Sequence, residues 1–300
     1  MRRTASWAVL VLSALLVAAV PPPNDPLVPE QWHLPHVGAF DLWSGGRGAG
    51  TVVAVVDTGV DGTHPDLQGR VTSGIDLVNR GTPPDDPNGH GTLVAGVIAA
   101  TAGNAIGGAG VAPVTVIMPV RVLDAAGNGT SREVAEGIRW AAANGAHVIN
   151  LSLAEAPGMV GDPSRVIGSD VEAAINEAHA RGAVVVAASG NEGRLSTPYS
   201  PGLPVIVVGA SDRGDGVWPH SNRDERTLFA PGVEIISTYT QHGYARSDGT
   251  SFAAPIVSAG AAVLRGVGLR GEEIRERLLS TARRTMCRRS ARTRAGCRSR

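Results

Sequence analysis

Short, unbroken apolar runs, set between stretches of helical periodicity, constrain this chain more than any other feature. Residues 51–56 read Thr-Val-Val-Ala-Val-Val, and 114–122, 147–153, 183–188 and 205–208 are of similar character. A strand that alternates apolar and polar residues buries one face, whereas a continuous apolar run must bury both. The intervening stretches carry helix signals. Thr130 with Glu133 three residues on predicts a capping box opening a helix that carries Val134, Ile138 and Ala141 and stops near Gly145. Ser169 with Glu172 predicts a second box, ahead of Val171, Ala174, Ile175 and Ala178, with Gly182 as the stop. Strand and helix alternating in this way predict an α/β fold: a mainly parallel sheet with helices on both faces, as one domain over 20–282.

Charge narrows the partners. The chain has no lysine, and ten of its arginines lie within residues 1–3 and 283–300, leaving the intervening stretch with ten more acids than bases. An acidic body excludes nucleic acid as the main partner. Arg2 and Arg3 precede an apolar segment, 7–20, that ends in small residues at Val17-Ala18-Ala19. Residues 1–19 therefore read as a signal peptide, too short for a span, and predict a secreted or cell-envelope protein. No later continuously apolar run reaches membrane-spanning length. Both cysteines, Cys287 and Cys297, fall in the tail 283–300, so the domain itself has no disulfide. That tail holds eight arginines and no acid, and is expected to be disordered.

In parallel α/β sheets ligands bind beyond the carboxyl ends of the strands. Asp57 follows the first run directly, in Asp57-Thr58-Gly59; His90 sits in Asn88-Gly89-His90-Gly91-Thr92, ahead of an apolar helix over 93–100; Ser251 sits in Gly249-Thr250-Ser251-Phe252-Ala253-Ala254-Pro255, ahead of a helix over 256–264. Singly these read as a turn aspartate, a loop histidine and a capping serine. Together, in the order Asp, His, Ser, they resemble the subtilisin-like serine proteases, the subtilases. Gly110-Val111-Ala112-Pro113 and Ser189-Gly190-Asn191-Glu192-Gly193 match that family as well, and the resemblance covers residues 26–282.

The resemblance implies a serine endopeptidase acting on polypeptides. Ser251 would be the nucleophile, His90 its general base and Asp57 the group that orients the imidazole. Asn191 would stabilise the oxyanion together with the Ser251 backbone N–H. A peptide would pair as an added strand between Leu151-Ser152-Leu153 and Gly127-Asn128-Gly129. Two departures bear on specificity: Ala154 stands where the family usually has glycine, and residues 194–204 are compact. No cofactor is needed for catalysis. A structural Ca²⁺ is expected at Asp66 and the Asn104 loop, by resemblance to a site in some subtilases. A monomer is expected.

Zinc is not, because His33 and His36 lack an acidic partner pattern and no His-Glu-x-x-His occurs. The glycines of 45–50 precede the first strand, whereas a phosphate loop must follow one. Residues 119–124 and 252–255 also resemble mycosins, although their C-terminal membrane helix and a cysteine near His90 are lacking. The alternative to an enzyme is a catalytically impaired, subtilase-fold binding protein from a truncated or frameshifted gene. Usable chemistry at all four catalytic positions speaks against it.

Overall fold

A computed structural model describes residues 21–153 and 168–282. The segment expected to be a signal peptide, Ala154 and the arginine-rich tail lie outside these. Among the described residues the main sheet has seven strands: β1 (Val52–Asp57), β2 (Ile75–Asp76), β3 (Val116–Arg121), β4 (Val148–Leu151), β5 (Val184–Ala188), β6 (Val205–Ser211) and β7 (Leu228–Pro231). Their order is β2-β3-β1-β4-β5-β6-β7, every neighbouring pair parallel. A separate antiparallel hairpin joins β8 (Ile235–Tyr239) to β9 (Gly243–Ser247).

The helices are α1 (His33–His36), α2 (Ala39–Gly45), α3 (His90–Ala99), α4 (Ser131–Ala143), α5 (Ser169–Ala180), α6 (Thr250–Gly266) and α7 (Gly271–Thr281). They explain why the strand sequences are apolar throughout. Val53 and Val55 of β1, with Val184 and Val186 of β5, face a core shared with α3, α6 and Ile274 of α7. Their neighbours Ala54, Val56, Val185 and Ala187 face a second core built with α4 and α5. Both sheet faces are dry, as the continuous runs require.

Thr130 caps α4 with the full reciprocal box: its hydroxyl accepts from the Glu133 N–H, and the Glu133 carboxylate accepts from the Thr130 N–H. The second expected box does not form. Gly168 occupies the cap position of α5, Ser169 is already helical, and the Glu172 carboxylate accepts the Ser200 N–H instead. The hairpin strands β8 and β9, and the short β2 and β7, carried no sequence signal, because they are brief or mix polar with apolar positions. No helix among the described residues is long and apolar enough to cross a membrane.

Strand order places the site. The chain enters the sheet at β1, adds β2 and β3 on one side, then crosses back to lay β4 on the other. The carboxyl end of β1, flanked by those of β3 and β4, is thus the point where a crevice opens.

Candidate active site

Asp57 is the last residue of β1 and is fully buried. Its Oδ1 accepts the Thr58 N–H at 2.7 Å and lies 2.7 Å from Nδ1 of His90, the first residue of α3. With the proton on Nδ1, Nε2 presents a lone pair and can act as a base. Burial disfavours the charged ring, but the Asp57 charge and hydrogen bond, reinforced by Asp86, outweigh it and hold the His90 pKa above its ordinary value.

Two glycines permit this approach of strand and helix. A Cβ on Gly91 would lie 2.1 Å from the Gly59 carbonyl oxygen, and one on Gly59, whose φ is +113°, would lie 2.3 Å from that of Asp85.

Ser251 is the second residue of α6, where a backbone N–H has no acceptor inside the helix. Its side chain is nearly buried, and Oγ donates to the Ser152 carbonyl at 3.2 Å. The Phe252 ring packs against the His90 ring with centroids 5.5 Å apart. Asn191 lies in the loop after β5. Its Oδ1 accepts from both the backbone N–H and the hydroxyl of Thr250, each at 2.9 Å. With the oxygen held there, the amide can offer only N–H donors to anything else.

Leu151 ends β4, followed by buried Ser152 and half-buried Leu153. Gly127, Asn128 and Gly129 follow β3 in a turn closed by Asp124, whose carboxylate accepts the N–H groups of Ala126 and Asn128. These two segments leave the strands on either side of β1, so the expected substrate residues bracket Asp57. Asn88 ties the turn to the loop carrying His90 by donating to the Ala125 carbonyl at 3.0 Å. The compact 194–204 stretch is pinned by Arg226, which donates to the carbonyls of Tyr199 and Ser200, each at 2.9 Å.

Two residues that hold this site were not anticipated from the sequence. Asp86 is buried and its carboxylate accepts five hydrogen bonds: from the Thr58 and Thr92 hydroxyls and from the N–H groups of Asn88, Gly89 and Thr92. It clamps the loop that delivers His90. Asn222 does the same for the Asn191 loop, accepting the N–H groups of Glu192 and Arg194 and donating its own N–H to the Gly190 carbonyl. The only sequence signal for Asp86 was an acid just ahead of a glycine-flanked histidine; nothing marked Asn222.

Asp66 and Asn104 do meet. The Asn104 amide donates to Asp66 Oδ1 at 2.8 Å, and Oδ2 accepts from the Gly108 N–H and the Tyr244 hydroxyl. Asp25 joins the same loop, accepting the N–H groups of Gly103, Asn104 and Ala105. Burial raises the Asp66 pKa, only partly offset by these donors. Carboxylate and amide oxygens are the ligand type Ca²⁺ takes, and here each carboxylate oxygen of Asp25 and Asp66 accepts an N–H or O–H while Asn104 Oδ1 accepts the Ile106 N–H. Among the described residues no group of three or more His, Cys, Asp or Glu side chains is placed to hold a metal. His33 is fully buried. His36 pairs with Asp215 at 2.8 Å, a contact made by tertiary folding that no local sequence pattern marks.

Residues 48–296 match the Subtilase family, a span that runs into the arginine-rich tail. The chain is 44% identical over 252 residues to the thermophilic serine proteinase of Bacillus sp. (strain AK1), covering 81% of this chain and 59% of that protein. It is 40% identical over 263 residues to thermitase of Thermoactinomyces vulgaris, covering 87% and 91% respectively. Among solved structures, a protease from Pseudoalteromonas arctica superposes with a TM-score of 0.79 at 32% identity, over 88% of this chain and 94% of the other. A cold-adapted subtilisin-like serine proteinase superposes with a TM-score of 0.71 at the same identity, over 81% and 86%. The parallel sheet, the ordered Asp, His and Ser at its carboxyl end, and these matches over most of the length agree: the chain belongs to the subtilase family.

Proposed function

We propose that this protein is a secreted or cell-envelope serine endopeptidase that hydrolyses polypeptides through Asp57, His90 and Ser251, with Asn191 in the oxyanion hole. The observation that carries the reading is the 2.7 Å hydrogen bond from His90 to a buried Asp57, with Phe252, the residue after Ser251 on α6, packed against the His90 ring. Rotation about χ1 of Ser251 would transfer its hydroxyl from the Ser152 carbonyl towards His90 Nε2. The imidazole would then take the proton as Oγ bonds to the scissile carbonyl carbon, and later give it to the leaving amine. The Ser251 N–H and the Asn191 amide would stabilise the oxyanion; in a subtilisin the loss of one such donor costs about 10²–10³ in rate. The peptide would pair between residues 127–129 and 151–153, in a monomer that needs no cofactor for chemistry.

Casein hydrolysis and labelling by a serine-directed fluorophosphonate test this. The wild type is expected to show both and Ser251→Ala neither. Equal casein turnover by the alanine variant would end the assignment, and a folded wild type inert to both reagents would favour the non-catalytic alternative.

Calcium belongs to the proposal as a structural ion. Asp66, Asn104 and the loop carbonyls, with Asp25 beside them, would hold it, supplying charge neutralisation and a cross-link from the 103–108 loop to the body. An ion that binds only the folded state raises stability by mass action. Millimolar Ca²⁺ should therefore raise the melting temperature relative to chelator, and Asp66→Asn should abolish the difference. Superimposable wild-type curves would remove the ion from the account.

A further inference from the structure

Pro255 lies inside α6, four residues after Ser251. In an α-helix the N–H of residue i donates to the carbonyl of i−4, and proline has no N–H to give. The carbonyl of Ser251 therefore loses its helical donor, although the residue is almost fully buried. A buried carbonyl without a donor is destabilising. Ser152 supplies the missing donor, from a different element. Its hydroxyl, one residue past β4, reaches the Ser251 carbonyl at 2.7 Å.

The direction of that hydroxyl is set by a buried relay. Ser258, on α6, donates to Asn150 Oδ1 at 2.8 Å; the Asn150 amide then donates to Ser152 Oγ at 2.8 Å, which leaves the Ser152 proton to point at Ser251. Asn150 and Ser258 are fully buried and Ser152 nearly so. The Ser152 carbonyl in turn accepts the Ser251 hydroxyl. The strand that would pair with substrate and the residue that would attack it are thus joined by two reciprocal hydrogen bonds.

We propose that the Ser152 hydroxyl is a positioning group that replaces the N–H absent at Pro255 and so fixes the backbone of Ser251 against the substrate strand. This rests on the peptidase reading above. The hydroxyl touches no reacting atom. It sets where the Ser251 N–H and Oγ stand relative to the scissile carbonyl, and small displacements there are costly in rate.

The test is a double-mutant cycle on the full chain. Ser152→Ala keeps the backbone carbonyl available to substrate, so KM should hold while kcat and kcat/KM fall together, by about ten-fold. The pH of half-maximal rate should not move, because His90 and Asp57 are untouched. Ser152→Thr, which keeps the hydroxyl, should restore most of the rate. Pro255→Ala returns an N–H to the helix, and in that background Ser152→Ala should cost little. Such coupling, read both in kcat and in the rate of fluorophosphonate labelling, would support the proposal. An equal loss in both backgrounds, a raised KM with kcat unchanged, or coupling in melting temperature without coupling in rate would each overturn it. An active wild type with a fully active Ser152→Ala would sink the positioning role alone. A folded wild type without hydrolysis or labelling would sink the peptidase reading and this role with it.

Discussion

At His90 two opposing effects meet, and their balance can be measured. Burial works against the imidazolium, while Asp57 and, further off, Asp86 favour it strongly enough to raise the pKa. A general base must be neutral, so the acid limb of kcat/KM should lie above the ordinary histidine value of about 6.5. Replacing Asp86 by Asn removes one of the charges that favour protonation, so the limb should move to lower pH. The same change removes acceptors from the 86–92 loop, so the plateau should fall as well. Rates on a small peptide substrate across pH 5–10 check both; a limb that stays put or moves upward would show that Asp86 does not act electrostatically. Sequence reading found His90 and Asp57 from their neighbours in the chain. It missed Asp86, because five hydrogen bonds to one carboxylate are made only when the loop closes on itself.

Elements show a second kind of dependence. The sequence placed the helix after His90 at 93–100, yet α3 begins at His90 itself. Glycines on both sides weaken local helix propensity, so the first turn is held by its surroundings: Asp86 beneath it and the Gly59 turn against it. Gly91→Ala tests this. Its Cβ would meet a backbone oxygen at 2.1 Å, which neither side can move aside cheaply. The helix start should shift, the His90–Asp57 bond should lengthen, and stability should fall by roughly 1–3 kcal/mol with a loss of kcat. Gly62→Ala is the control, since its nearest neighbour is a Val71 methyl at 3.5 Å, ordinary contact. Urea unfolding and kcat on both variants decide it; equal tolerance of the two would refute the close-approach argument.

Across the whole molecule, acid should be the weak side. His33 is fully buried, neither ring nitrogen has a partner among the described residues, and burial pushes its pKa down to about 3. Burial, then Arg265 and Arg270, also lower the pKa of His147, whose Nδ1 accepts the Val52 N–H at the start of β1. A histidine with a depressed folded pKa takes up its proton more readily when unfolded. Its stabilising effect is therefore full above about pH 6.5 and is lost as pH falls towards the folded value. His90, raised, has the opposite sign: its stabilisation is present below the ordinary value and declines as pH rises through the folded one. Two depressed histidines against one raised predict a urea midpoint that declines below about pH 6.5. For His33 alone the loss by pH 3 is on the order of a few kcal/mol. His33→Leu should flatten the decline, and an unchanged pH dependence in that variant would show that His33 is not its source.

What the sequence determined by itself was whatever depends on short range. Continuous apolar runs require strands dry on both faces, Thr130 and Glu133 stand close enough in the chain to cap α4, and the ordered motifs around Asp57, His90 and Ser251 carry their chemistry in adjacent residues. What only the tertiary structure decided lies between segments far apart in the chain. Gly168, not Ser169, holds the cap position of α5, and Glu172 accepts from Ser200, 28 positions on. Asp215 reached His36 across 179 positions. Ser152 met a carbonyl 99 residues away that Pro255 had left without its donor. A hydrogen bond of that kind has no periodicity to betray it. Its partners are chosen by which strands lie side by side and by the cost of leaving a buried polar atom unpaired, and both are settled only when the sheet has assembled.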